Sequence, residues 1–120
     1  MKRKTHQEIF NTVAAHLLKQ GGQATNKHGR CKYRTPEGSQ CAIGCLIPAD
    51  KYHRRIEGIP VNHSGVLEAL QGVIDVQCVE TLQLLDSLQR MHDAGYSWSG
   101  PCDIRRALNK VASSYNLKKV

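Results

Sequence analysis

Long apolar runs are missing from this chain of 120 residues, and none approaches the roughly 18 residues that a membrane-spanning helix requires. The first residues also lack the apolar centre of a secretion signal, because the basic Met1–Lys4 leads straight into the polar Thr5–Glu8. Both absences predict a soluble domain of the cytoplasm with no membrane partner. Nor is there an even set of cysteines. Cys31, Cys41, Cys45, Cys78 and Cys102 make five, which argues against a disulfide framework and predicts reduced thiols. No P-loop, dinucleotide-type glycine pattern, His-Glu-x-x-His or Gly-x-Ser-x-Gly occurs, so the common short catalytic signatures are excluded. Internal repeats and low-complexity stretches are absent too.

Acidic residues are scarce where it matters most. Residues 1–36 carry eight basic side chains against Glu8 alone, while residues 37–120 carry nine of each sign. The formal charge of +7 therefore arises in the first third. A one-sided excess of this kind attracts anions such as nucleic acid, nucleotides or an acidic protein face, although a charge run can also be a solvated face with no partner. Hydrophobic residues at 40% and charged residues at 22% exclude a disordered tail and predict one compact domain over residues 1–120, frayed at 1–4 and 117–120.

Local signals divide the chain. Thr5-His6-Gln7-Glu8 reads as a capping box, followed by Ile9, Phe10, Val13, Ala14, Leu17 and Leu18 at helical spacing until Gly21-Gly22. Gln23–Gly29 reads as a loop. Arg30–Thr35 and Gln40–Ile43 flank Pro36-Glu37-Gly38, which predicts a β-hairpin with Cys31 and Cys41 at roughly facing positions. Ala49–Glu57 has short helical character ended by Gly58, and Ile59-Pro60-Val61 reads as extended linker. Asn62 or Ser64 caps a short helix carrying Val66, Leu67 and Leu70. The longest helix is predicted from about Asp75 to Ala94, with Cys78, Val79, Leu82, Leu85, Leu88 and Met91 as its apolar stripe and Cys78 as core. Pro101 opens a last helix that buries Ile104, Ala107, Leu108, Val111 and Tyr115. The fold class expected is α+β, a mostly helical small domain with one hairpin.

The stretch His28–Ile47 holds Cys31, Tyr33-Arg34, Gly38, Cys41-Ala42, Gly44 and Leu46-Ile47, and is followed by Asp50-Lys51-Tyr52, Ile56-Glu57-Gly58 and Leu88-Gln89-Arg90-Met91-His92-Asp93. Taken in order over roughly residues 8–115, these motifs resemble a family of small phage and prophage proteins. Those proteins share a cysteine, Tyr-Arg, glycine, Cys-Ala, Gly-x-Leu-Ile pattern and a Leu-Gln-x-x-His-Asp helix end. The resemblance carries no activity with it. It implies a mobile-element setting, in which small proteins act in the host cell by binding and blocking its machinery or its antiviral defence.

On a strand Arg30, Lys32 and Arg34 would share one face and Cys31 and Tyr33 the other, giving a basic rail beside packed side chains. Lys27 joins this rail, Lys51, Arg54 and Arg55 could extend it, and Trp98 either anchors a partner or caps the core. His28, Cys31, Cys41, Cys45 and His53 offer nitrogen and sulfur ligands, but at intervals looser than structural zinc uses. A Cys31 or Cys41 thiolate with His28, His53 or His92 as base is the one catalytic arrangement the residues suggest, and nothing in the spacing brings them together. His92-Asp93 reads as a helix end in which Asp93 holds the histidine's tautomer. The function expected is therefore non-enzymatic and free of cofactors: a phage-encoded inhibitor or modulator acting through the basic face on nucleic acid, a nucleotide signal or a host or defence protein that handles nucleic acid. A protein-binding module working through an apolar patch with Trp98 is the alternative, with a small zinc-binding or cysteine-dependent enzyme behind it. Oligomeric state stays open.

Overall fold

Thr5 starts the first helix by local chemistry alone. Its hydroxyl accepts the Glu8 N–H at 3.1 Å while the Glu8 carboxylate accepts the Thr5 N–H at 2.9 Å, satisfying two amides that the first turn would leave bare. The structure, a computed structural model, describes residues 3–25, 31–59, 61 and 63–120. Its helices are α1 (His6–Gln20), α2 (Ser64–Leu70), α3 (Val79–Asp93) and α4 (Pro101–Ser114). Helix α1 stops at Gly21, whose φ of 81° lies where a Cβ is costly. Pro101 opens α4, where its missing N–H forfeits nothing.

Helices α1, α3 and α4 pack on one another, and α1 also packs on a 3-10 turn at Gly44–Leu46. Ile9, Phe10, Leu17, Leu84, Leu85, Leu88, Ile104 and Leu108 are fully buried between them, with Ile43 and Ile47 closing one side. Each such side chain contributes roughly 1.5–3 kcal/mol relative to staying in water. The C-terminal residues are tied back, with Lys118 N–H donating to Gln7 and Val120 N–H to Asn109. Among the described residues no helix is long and apolar enough to cross a membrane.

The expected hairpin is not formed, and the α+β class gives way to a small helical domain. Among the described residues there is no β-strand, only isolated bridges pairing Thr25 with Cys31 and Arg34 with Gln40. The turn itself exists: Thr35 N–H donates to Ser39 O at 2.9 Å and Cys41 N–H to Tyr33 O at 3.2 Å. The next rung would pair Lys32 with Ala42, but Lys32 N–H donates to Ala24 O at 2.8 Å, and the Tyr33 and Arg34 amides go to the Glu57 carboxylate. With its donors spent elsewhere, the alternating sequence cannot build a ladder. The register also sets Tyr33, not Cys31, beside Cys41.

Other boundaries shift for equally local reasons. Ala49–Glu57 is not one helix but two 3-10 turns, Ala49–Lys51 and Arg54–Ile56, separated by extended Tyr52 and His53. Helix α2 is capped by His63, whose Nδ1 accepts the Gly65 N–H, and Ser64 is its first residue instead of its cap; Asn62 lies outside the described residues. Helix α3 starts four residues late, because the Asp75 carboxylate takes the Gln77 N–H and holds the chain in a turn. Cys78 is then the cap rather than core, Val79 is 67% exposed, and the buried face runs through Thr81, Leu84, Leu85, Leu88 and His92.

Candidate functional site

Glu57 organises the region that the motif residues share. One carboxylate oxygen accepts the Tyr33 N–H at 2.8 Å, and the other accepts the Arg34 N–H at 3.1 Å and the Tyr52 hydroxyl. These bonds hold residues 33–34 against the turn after Lys51. Arg34 is drawn inward by the same arrangement: its guanidinium donates to Ile47 O, its Cζ lies 5.2 Å from the centre of the Tyr52 ring, and its Nε is buried with no hydrogen-bond partner. The Tyr33 hydroxyl donates to Ile59 O.

Burial, then the neighbouring Glu57 carboxylate, pushes the Tyr52 hydroxyl from 10 up to about 12, and burial pushes Tyr33 higher still. A raised folded-state value means that both hydroxyls stabilise the fold fully below the unfolded value near 10 and lose that contribution as pH climbs toward 12. Absorbance titration of tyrosine should accordingly find two hydroxyls still protonated at pH 11. Stability measured by denaturant should begin to fall near pH 9, where the unfolded thiols of Cys31, Cys41 and Cys45 ionise, and fall more steeply above pH 10 as the unfolded tyrosines follow. Two such hydroxyls ionising with the unfolded-state value would overturn the arrangement around Glu57.

Two clefts flank this hub. The first, about 440 Å³, is lined by Lys32, Arg34, Thr35, Pro36, Tyr52, Arg54 and Glu57. The second, about 330 Å³, is lined by Cys31, Tyr33, Ile59, Val61, Asp86, Gln89, Arg90 and Asp93, with Lys32 and Glu57 common to both. Behind the second cleft the end of α3 is fully bonded. His92 is completely buried, its Nε2 accepts the Ala24 N–H at 2.9 Å, and its Nδ1 faces Asp93 Oδ1 at 3.0 Å. Because Ala24 supplies a donor, Nε2 must carry the lone pair and Nδ1 the proton, so the ring is neutral and donates to Asp93. Gln89 Nε2 donates to the same carboxylate oxygen at 2.9 Å, and Gln23 Nε2 donates to the backbone oxygens of His92 and Asp93.

Cys31, His92 and Asp93 bring ligand atoms within 4.8 Å of one another, the one such group among the described residues. Sulfur, nitrogen and oxygen suit zinc, yet the hydrogen bond on the far side of the histidine ring does not. A metal on His92 Nδ1 would force the proton onto Nε2, where the Ala24 N–H already points. Burial and the Asp93 carboxylate also push the Cys31 thiol up to about 11. Cys41 and Cys45 stand apart from this group. Cys41 Sγ accepts the Gly44 N–H, Cys45 Sγ donates to Ala42 O, and burial raises each to about 12. Reactive cysteines need the opposite shift, so these thiols are packed as thiols.

Of the residues singled out in the sequence, Lys32, Arg34 and Arg54 come together on the first cleft. Lys51 and Arg55 are exposed outside it, and His53 is exposed as well. Lys27, His28 and Arg30 lie outside the described residues. Trp98 sits elsewhere, edge-on to His92 with ring centres 6.5 Å apart and its indole against Gly95, where it closes the α3–α4 corner. Sequence reasoning passed over Glu57, Gln89 and Tyr52 as functional groups, although the motif stretches contain all three. Compared with known proteins, the chain matches no family model, no curated protein and no solved structure.

Proposed function

We propose that this chain is a non-enzymatic binding protein that takes a phosphate-bearing ligand, nucleic acid or nucleotide, in the cleft of Lys32, Arg34 and Arg54. One observation carries the reading. Among the described residues three cations and one acid, Glu57, line a single concave surface, and the Glu57 oxygens are already bonded to two amides and a hydroxyl. Neutral donors leave Glu57 its charge, so three cations stand against one carboxylate and the cleft keeps a positive excess, to which the formal charge of +7 adds at longer range. Arg34 is held rigid by Ile47 and Tyr52, so less freedom is lost when it meets a phosphate. The resemblance to small phage proteins supports a stoichiometric role, inhibiting or modulating host machinery such as antiviral defence. Trp98 packs on Gly95 and His92 yet stays half-buried and lines a groove with Met91, Ala94, Ala107 and Val111, which is the surface that the rival protein-docking reading would use.

Binding of a labelled oligonucleotide tests the proposal directly. Three neutralised phosphates predict an affinity that falls roughly 20- to 40-fold between 50 and 200 mM salt. A Lys32→Glu/Arg54→Glu variant should lose binding at least tenfold, whereas Lys118→Glu/Lys119→Glu, equal in charge change and remote from the cleft, should lose far less. Equal losses in the two variants, or a salt-insensitive complex, would remove the cleft from consideration.

A further inference from the structure

Resting on that reading, we propose that the two clefts are halves of one nucleotide site, with phosphate in the basic cleft and an amino-bearing base, adenine, guanine or cytosine, in the Cys31–Asp93 cleft. Lys32 and Glu57 belong to both linings, so the clefts adjoin across a shared ridge. Their chemistries differ in the way the two ends of a nucleotide differ. The first presents cations beside Tyr52, and the second presents apolar walls from Tyr33, Ile59 and Val61 with polar groups at its rim. A volume of about 330 Å³ is within the range of small-ligand sites.

The polar rim sets the preference. Asp93 is fixed by donors behind it: Gln89 Nε2 and His92 Nδ1–H both bond its Oδ1, and the Ala24 N–H on Nε2 locks the histidine in that tautomer. The carboxylate is thus held at the cleft as an oriented acceptor, with its side chain 47% exposed. Asp86, paired with Arg90 at 2.8 Å, adds a second acceptor on the same wall. Fixed carboxylates favour bases that offer exocyclic N–H donors and disfavour uracil and thymine, which present carbonyl oxygens in their place. The stretches that carry the sequence motifs also meet here, since Cys31, Tyr33, Glu57, Gly58, Gln89 and Asp93 all line this cleft although they come from distant parts of the chain.

Calorimetry on the full chain at low salt with CMP, UMP, AMP, IMP and inorganic pyrophosphate decides the matter, because UMP and IMP carry a carbonyl in place of the exocyclic amino group of CMP and AMP, with an N–H in place of the adjacent bare ring nitrogen. The expected result is CMP at least tenfold tighter than UMP and AMP at least tenfold tighter than IMP, with Asp93→Asn bringing both ratios toward one. Since Asp93 also supports His92, Asp86→Asn serves as a second variant and should reduce the same ratios. Equal affinity for all five probes would overturn the base subsite and leave the phosphate cleft standing. So would binding of an oligonucleotide with no binding of any mononucleotide. Failure of every phosphate-bearing probe to bind would overturn both readings.

Discussion

Gly44→Ala should be among the most damaging single substitutions in the chain. A Cβ at this position would lie 1.8 Å from the Tyr33 carbonyl oxygen and 2.7 Å from its carbon, far inside contact distance. The obstacle is backbone, so no rotamer change relieves it. Tyr33 cannot retreat either, because its N–H is held by Glu57, its carbonyl accepts the Cys41 N–H, and its hydroxyl donates to Ile59 O. The methyl group must therefore separate the Gly44–Leu46 turn from the 31–35 segment, breaking bonds in the cleft and uncovering Ile43 and Leu46. A loss of about 3 kcal/mol or more is expected, at or above the upper end of what overpacking typically costs, because the obstacle is held backbone. For a chain of this size that corresponds to a fall in Tm of roughly 12 °C or more. Gly72→Ala is the control, since a Cβ there meets nothing within 4 Å. It should leave Tm unchanged or raise it slightly by restricting the unfolded chain. A Gly44→Ala protein as stable as the parent would mean that the two segments do not approach as described.

The same pair of segments shows what the sequence could and could not convey. Helices α1 and α4 were legible because their signals are local: a capping box, a proline at the first position, and apolar residues at 3.6-residue spacing whose burial nothing else contests. The 31–43 region carried an equally good local signal for a hairpin. It was overridden by Glu57, more than twenty residues away, whose carboxylate took two amides, and by Ala24, whose carbonyl took a third. Periodicity holds no information about such a competitor. Helix α3 was misread by rotation rather than existence. Two of its core positions are polar, with Thr81 bonded to His6 at 2.8 Å and His92 bonded to Ala24 and Asp93, and a stripe drawn through apolar residues alone passes beside them. The candidate site was half legible. Lys32 and Arg34 stood out by charge, but the inward turn of Arg34 onto Tyr52 and Ile47, and the junction of α3's end with Cys31, depend on contacts between residues far apart in the chain.

That junction makes His92→Leu the second large effect expected. Leucine roughly fills the space but removes an acceptor from the Ala24 N–H and a donor from Asp93, and both His92 and Ala24 are fully buried. Leaving one buried amide unsatisfied costs about 1–3 kcal/mol, and losing the bond to a carboxylate adds to it. We expect a total of about 2–4 kcal/mol by denaturant unfolding. Asp93→Asn should cost less, because an amide oxygen still accepts the Nδ1–H and the tautomer is preserved. The damage should also travel along a defined route. Ala24 O accepts the Lys32 N–H, so once the Ala24 amide is released, the 31–34 segment loses one of the bonds that place Lys32 between the clefts. Amide exchange should therefore accelerate at both Ala24 and Lys32 in His92→Leu, while amides in the middle of α1, which are held by their own helix, slow or quicken only with global stability. Faster exchange at Ala24 with none at Lys32 would show that the histidine holds the loop but not the cleft. Acceleration at both, with weakened ligand binding under conditions where the variant remains folded, would tie the buried end of α3 to the charged surface through one carbonyl.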